Sequence, residues 1–116
     1  MNKELMHHTL VKLGFTETQA KIYIQLTKRG PQSQREIAKA LNMQIRQIRI
    51  CLKKMQSRGF VKADEKCQIP FFAVPIQKVL DLLIVNKLEQ AKFTMKNKKE
   101  LLSSWNSIVN EDILES

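Results

Sequence analysis

Apolar residues recur every three or four positions through the N-terminal third of the chain, a pattern typical of helices that bury one face. The pattern predicts a first helix over residues 3–13, ending before Gly14. A second helix, over residues 16–29, begins with Thr16 and Gln19, which have the spacing of a capping box. Because apolar side chains cover much of its circumference, we expect this second helix to lie at the centre of the core.

Residues 33–59 predict two more helices joined by a tight turn. Ser33 and Glu36 form a second capping box at the start of the first of them, and Asn42 suits the left-handed conformation that ends it. Gly59 closes the second. The buried side of that second helix is predicted to hold Ile48, Cys51, Leu52 and Met55.

The outer face of the same helix is basic and rich in amide groups, and no acidic residue occurs between Asn42 and Lys62. After a short turn, such a helix can present its N-terminal residues to the major groove of DNA. The alternative is an ordinary solvated helix pair. The candidate DNA contacts in this region are Ser33, Gln34, Arg35, Gln44, Arg46, Gln47, Arg49, Lys53 and Lys54.

A short β-hairpin is predicted directly after the helix pair. Apolar and polar residues nearly alternate over residues 60–64, and residues 71–74 form the second strand. A hairpin alone is marginally stable in water, so we expect this one to pack on the helices. Its predicted anchors are Phe60, Val61 and Phe72. In this position the hairpin is a wing, with Lys62 and Lys66 as candidate phosphate contacts.

After Pro75, no glycine or proline interrupts residues 76–109, which predicts a helix about 50 Å long. A helix of this length does not fold back onto a small domain, and the simplest partner for its apolar stripe is a second copy. The alternative is local packing on its own domain. We expect residues 111–116 to fray. The predicted dimerisation residues are Leu80, Leu83, Ile84, Leu88, Ala91, Met95, Leu102 and Trp105.

The predicted fold class is therefore mainly α with a small β-hairpin. It comprises a winged helix-turn-helix domain over residues 1–75 and a long dimerisation helix, predicted to form a coiled coil, over residues 76–116. Charge follows the same division. Residues 1–75 contain 14 lysines and arginines and 5 acidic residues, whereas residues 76–116 contain 6 of each. The whole net charge of +9 lies in the first part, which favours binding to a polyanion.

Other chemistry has little support in the sequence. No run of eighteen apolar residues and no apolar signal core occur, so we expect a cytoplasmic protein with no membrane partner. The two cysteines lie 16 residues apart and do not form a disulfide framework. Cys51, Cys67, His7 and His8 lack metal-ligand spacing, and no glycine-rich phosphate loop is present. We expect no metal, no cofactor and no enzymatic activity.

Four separated blocks of the sequence resemble the TrmB-type winged-helix transcriptional regulators of archaea and some bacteria. In chain order they read L-x-x-L-G-F-T-E-T-Q-A-K-I-Y, R-G-P-Q-S-Q-R-E-I-A, K-K-M-Q-S-R-G-F-V and F-F-A-V-P, within residues 10–83. The resemblance implies operator binding, dimerisation through the long helix, and base contacts from residues 44–49. Many members carry a sugar-binding domain after that helix. Because this sequence ends at Ser116, a sugar effector is not carried over, and any small-molecule effector stays unknown.

Two functions remain open from the sequence. The first is a homodimeric regulator that binds specific sequences of double-stranded DNA. The second is a winged-helix interaction module that docks onto the transcription machinery, since a fold does not dictate its function. A steep salt dependence of duplex binding separates them, because only the DNA-binding protein releases counterions.

Overall fold

The computed structural model describes residues 2–64 and 70–115, with side chains described as far as Glu111. It confirms the predicted fold class, with five helices and a two-stranded antiparallel hairpin in the described residues. In chain order the elements are α1 (Lys3–Lys12), α2 (Glu17–Arg29), α3 (Gln34–Leu41), α4 (Ile45–Ser57), β1 (Val61–Ala63), β2 (Phe71–Ala73) and α5 (Ile76–Glu115). The chain divides into two compact units, Met1–Leu83 and Ile84–Ser116.

Helix ends follow the predicted capping residues. At the start of α2 the Thr16 hydroxyl accepts a hydrogen bond from the Gln19 amide, and the Gln19 side chain accepts one from the Thr16 amide, each at 3.1 Å. Ser33 and Glu36 form the same reciprocal pair at the start of α3. Four helix-end donors that have no partner within the helices are thereby satisfied.

The central helix of the first unit is α2, as predicted, and it packs against α1, α3, α4 and β2. Ile22, Tyr23 and Leu26 are buried on it. Phe15, just before α2, stacks on Phe60 at a centroid distance of 4.5 Å and meets the edge of Tyr23 at 5.9 Å. These rings join the start of α2 to the residue that leads into the wing.

The hairpin pairs Val61 with Ala73 and Ala63 with Phe71. Phe60 and Val61 are buried, as predicted, but the second strand is anchored by Phe71 rather than by Phe72. Phe72 is 37% exposed. Successive side chains of a strand point to opposite faces, so the choice of one phenylalanine as the anchor exposes the other. The prediction that Phe72 packs on the helices was therefore wrong.

A third segment extends the small sheet. Gln32, in the connection between α2 and α3, pairs with Phe71 as an isolated antiparallel bridge. The two residues exchange both backbone hydrogen bonds, at 2.9 and 2.8 Å. The base of the wing is therefore bonded to the segment that leads into the helix pair.

The beginning of α5 belongs to the first unit. Val79 and Leu83 are buried in its core, and the Leu82 side chain lies close to Gly59. The assignment of Leu83 to a free dimerisation stripe was therefore wrong, because its side chain is only 1% exposed within its own domain. The first unit thus extends beyond the expected boundary at Pro75.

The second unit is a single helix, which has no core of its own. From Ile84 to Glu111 every side chain is exposed except that of Asn97, which is partly buried. The large apolar side chains on it include Leu88, Phe93 and Trp105. The backbone stays helical to Glu115, past Val109 and through most of the segment for which we expected fraying.

Candidate nucleic-acid interface

The turn between α3 and α4 is short and has a defined backbone. Asn42 adopts the predicted left-handed conformation, with φ 53° and ψ 49°. The next amide, that of Met43, donates to the Ala38 carbonyl at 2.9 Å, which closes the end of α3. Gln44 then precedes the first turn of α4, and its side chain makes no capping hydrogen bond. The side-chain amide of Gln44 therefore does not cap α4.

Burial fixes which face of α4 is presented to solvent. Ile48, Leu52 and Met55 are buried, as predicted, whereas Cys51 lies at the edge of the core and is only partly buried. At 100° per residue, these positions place Arg46 and Lys53 on the outer side. The first turn of α4 contains no acidic residue. The result is a cationic helix face with no carboxylate to neutralise it.

Nearly all the predicted DNA contacts lie in the part of the chain that the structure describes. Ser33 and Gln34 are partly buried. Lys66 lies outside the described residues. The exposed members of the set are Arg35, Gln44, Arg46, Gln47, Arg49, Lys53, Lys54 and Lys62.

Two side chains on α3 have structural partners. The Ser33 hydroxyl caps α3, as described above. The Gln34 side-chain oxygen accepts a long hydrogen bond of 3.4 Å from Nε of Arg49, which joins α3 to α4. This contact orients the Arg49 guanidinium and leaves its terminal nitrogens for another acceptor. Gln34 is therefore a hydrogen-bond partner of Arg49 within the helix pair.

Sequence reasoning missed Ile50. This side chain is 50% exposed and lies opposite the buried residues of α4. It stands four residues after Arg46 and three before Lys53, so the three share the outermost strip of the helix. The signal was present in the sequence, since the position that faces away from a buried Ile48-Leu52 pair can be read from the helical period.

One basic residue near the end of α4 has an internal role. The Arg58 guanidinium lies 4.6 Å from the centroid of the Phe60 ring. Its Nη1 also donates to the Gly14 carbonyl at 3.4 Å. Arg58 therefore links the end of α4 to the α1–α2 connection, and it is not counted among the nucleic-acid contacts.

The candidate metal and redox residues do not form a centre in the described residues. Within residues 2–64 and 70–111, no three potential metal-ligating side chains cluster. Burial raises the pKa of the Cys51 thiol, an effect that the nearby Lys54 ammonium partly offsets. Cys51 is therefore a protonated, weakly polar residue at neutral pH rather than a reactive thiolate. Cys67 lies outside the described residues.

A helix-turn-helix followed by a β-hairpin defines the winged-helix class of DNA-binding proteins. A family model described as "Sugar-specific transcriptional regulator TrmB" matches residues 10–81. The chain therefore belongs to the TrmB family.

Solved structures that resemble the chain include an archaeal chromatin protein and a transcription regulator. The archaeal chromatin protein TrmBL2, whose structure is described as showing a novel mode of DNA binding, superposes with a TM-score of 0.76 at 19% identity. The match covers 97% of this chain and 44% of TrmBL2, so the chain spans less than half the length of that protein. A MarR family transcription regulator superposes with a TM-score of 0.53 at 14% identity, covering 91% of this chain and 74% of the other.

No curated protein sequence matches the chain. The family and the two structures are those of transcription regulators and a DNA-binding protein, not of enzymes. In residues 2–64 and 70–115, no helix combines the length and the apolar character needed to cross a membrane.

Proposed function

We propose that the chain binds specific sequences of double-stranded DNA as a homodimer and controls transcription by doing so. The observation that carries this proposal is the exposed outer face of α4. It presents amide and guanidinium groups from the first turns of a helix that follows a tight turn. These are the groups that hydrogen-bond to base edges in the major groove.

Base reading is assigned to the first half of α4 and the residue before it. Arg46 and Arg49 suit the two acceptors of guanine, and Gln44 and Gln47 suit adenine, which presents one donor and one acceptor. Ile50, between Arg46 and Lys53, adds an apolar contact for the methyl group of thymine. Arg46 is the central member, because it shares the outermost strip of the helix with Ile50.

Phosphate contacts are assigned to the cations around that strip. Lys53 and Lys54 lie further along α4, Arg35 lies on α3, and Lys62 lies on the wing. Contacts of this kind set the register of the protein on the duplex without reading sequence. They also release counterions, which makes affinity depend steeply on salt.

Homodimer formation is assigned to residues 84–109. Ile84, Leu88, Met95, Leu102 and Trp105 are between 52% and 79% exposed on a helix that has no core of its own. A contiguous apolar stripe of this kind marks an interaction surface. Two linked copies reach two half-sites, and linking raises avidity by about 10²–10⁴ without any new DNA contact.

The second candidate is a docking module for the transcription machinery. Ile50 and Phe72 favour it, because both are exposed apolar side chains on the outer surfaces of the domain. Exposed apolar residues of this size also occur singly on ordinary surfaces, so they support this function less than the cations support DNA binding.

Selection from a random duplex pool, followed by an anisotropy titration on the selected site, tests the main proposal. With 6–10 phosphate contacts, affinity should fall by about 10³–10⁵ between 50 and 200 mM salt. The unselected pool gives the sequence-independent reference. A flat salt response, or a selection that enriches no motif, contradicts sequence-specific DNA binding and leaves the docking function.

A further inference from the structure

The exposed stripe on the second unit has the spacing of a coiled-coil seam. From Ile84 to Val109 the seam positions alternate between steps of four and three residues, which is the 3.5-residue repeat of a left-handed coiled coil. The seam consists of Ile84, Leu88, Ala91, Met95, Lys98, Leu102, Trp105 and Val109. All eight side chains are exposed, so none of them is covered by the chain itself.

Three seam positions argue against pairing each residue with its own copy. In a parallel dimer every layer contains two identical side chains. Ala91 would then face the partner's Ala91 and leave a void, and Trp105 would face the partner's Trp105 in an overfilled layer. Lys98 would face the partner's Lys98, so two ammonium groups would share one apolar layer.

An antiparallel pair removes all three conflicts. Its layers join Ile84 to the partner's Val109, Leu88 to the partner's Trp105, and Ala91 to the partner's Leu102. Each small side chain then lies opposite a larger one, as close packing requires. Lys98 lies against the partner's Met95, where its methylene stem covers the thioether while the ammonium reaches water.

We propose that two copies of α5 pair antiparallel over residues 84–109, in this register. The proposal rests on the homodimer proposed above and specifies its geometry. Fourteen apolar seam side chains, at about 60–120 Å² each, bury on the order of 1,000 Å². That area approaches the roughly 1,200–2,000 Å² of stable interfaces, and the exposed flanking residues Leu101 and Ile108 add to it.

This register sets the distance between the two Ile84 residues, which can be compared with the spacing of half-sites on DNA. The two Ile84 residues lie at opposite ends of the paired segment, about 37 Å apart at 1.5 Å per residue. Half-sites one helical turn apart are separated by roughly 34–36 Å. A side-by-side parallel pair has no such separation built into it.

Single cysteines placed at the two ends of the seam test the orientation. In full-length protein carrying Cys51→Ala and Cys67→Ser, Ile84→Cys and Val109→Cys are made separately, one of them with a size tag. The two proteins are mixed, allowed to exchange subunits, and treated with a short bismaleimide. Antiparallel pairing predicts a cross-linked product between the tagged and untagged chains, and little product from either protein alone.

Each other outcome overturns the proposal in its own way. Self-linked products from Ile84→Cys alone and from Val109→Cys alone overturn the orientation but uphold the homodimer. A dimer in sedimentation that cross-links in no combination shows that the seam is not the interface. A monomer overturns both the orientation and the proposed homodimer. The cysteine-free parent must sediment and bind duplex DNA like the original chain, which separates these results from a folding defect.

Discussion

The two units of this chain satisfy their apolar side chains in opposite ways. In the described residues of Met1–Leu83, seventeen hydrophobic side chains are buried around α2. From Ile84 to Glu115 the chain is one helix, on which no large apolar side chain in the described part is buried. The first unit can therefore be stable as a monomer, whereas the apolar surface of the second is buried only when another molecule covers it. The free energy of unfolding of the first unit should not depend on protein concentration, whereas the oligomeric state of the second should.

The largest expected effects are seen by comparing two truncated chains, residues 1–84 and residues 1–74, which differ by ten residues. A chain of residues 1–84 keeps Val79 and Leu83 and should fold as a monomer. Its affinity for a palindromic selected site should be about 10²–10⁴-fold lower than that of the full chain, because it loses avidity but no DNA contact. A chain of residues 1–74 loses both buried side chains and should be destabilised by several kcal/mol, at roughly 2–5 kcal/mol for each large deletion. Sedimentation measures the oligomeric state, thermal melting measures stability, and anisotropy measures affinity for the duplex.

The half-site affinity of residues 1–84 is the control for that comparison. On a duplex with a single half-site, this chain and the full chain should bind alike. A dimer formed by residues 1–84 would show that the homodimer does not depend on the second helix.

Leu83 and Leu88 lie five residues apart in α5 and sharpen the contrast between the units. Leu83→Ala should lower the free energy of unfolding of the first unit by roughly 2–5 kcal/mol at every protein concentration. Leu88→Ala should leave that free energy unchanged and shift only the monomer–dimer equilibrium. Urea unfolding at two concentrations tenfold apart measures both effects. Equal effects from the two substitutions would mean that the division at Leu83 is wrong.

A pH prediction applies to the first unit alone. The Tyr23 hydroxyl is buried and donates to the Val74 carbonyl, and burial raises its pKa from about 10 to about 12. The neutral form is favoured in the folded chain, so this stabilisation is complete below pH 10 and is lost as the pH rises towards 12. This rise in the pKa of Tyr23 corresponds to on the order of 2–3 kcal/mol in the free energy of unfolding. Tyr23→Phe is the matched control and should lack this part of the pH dependence.

Arg46 and Lys53 share the outer strip of α4 but have different proposed roles. Arg46→Ala should reduce discrimination at one base step per half-site by about 1–3 kcal/mol. Lys53→Ala should instead weaken binding to all sequences evenly and lower the salt slope by about one. Repeating the duplex selection with each variant measures both. An unchanged motif from the Arg46 variant would contradict the placement of α4 in the major groove.

The smallest effect concerns Ile50. In the selected site, replacing each thymine by uracil removes its methyl group without changing the base-pairing edge. On the uracil duplex, the original chain should lose about 0.8 kcal/mol of binding free energy per contacted methyl, roughly fourfold in affinity. The Ile50→Ala protein should bind the thymine and uracil duplexes equally well. Gln56→Ala, an exposed residue on the flank of α4, should keep the original sensitivity. Equal sensitivity in all three proteins would remove Ile50 from the base contacts.

Features fixed by neighbouring residues could be predicted from the sequence. Both capping boxes and the left-handed Asn42 depend on residues within one turn of each other, and all three were predicted correctly. The sequence could not show which face of the second wing strand packs on the helices. Phe71 and Phe72 are adjacent and chemically identical, so only the packing of the completed core decides which one is buried.

Leu83 illustrates a second limit of sequence reasoning. It follows Leu80 by three residues, as Ala91 follows Leu88, and such spacings alone do not show where a domain's own core ends along a continuous helix. In the candidate site, the basic face of α4 was evident from charge. Ile50 was not evident, because charge and amide content do not mark an apolar residue on a polar face.

The bridge between Gln32 and Phe71 has a consequence for the entropy of binding. Two backbone hydrogen bonds tie the wing to the segment in front of α3, so the base of the wing is ordered before any DNA arrives. Ordering a loop on association would otherwise reduce affinity. The amides of Gln32 and Phe71 should accordingly exchange with deuterium as slowly in the free protein as in the complex.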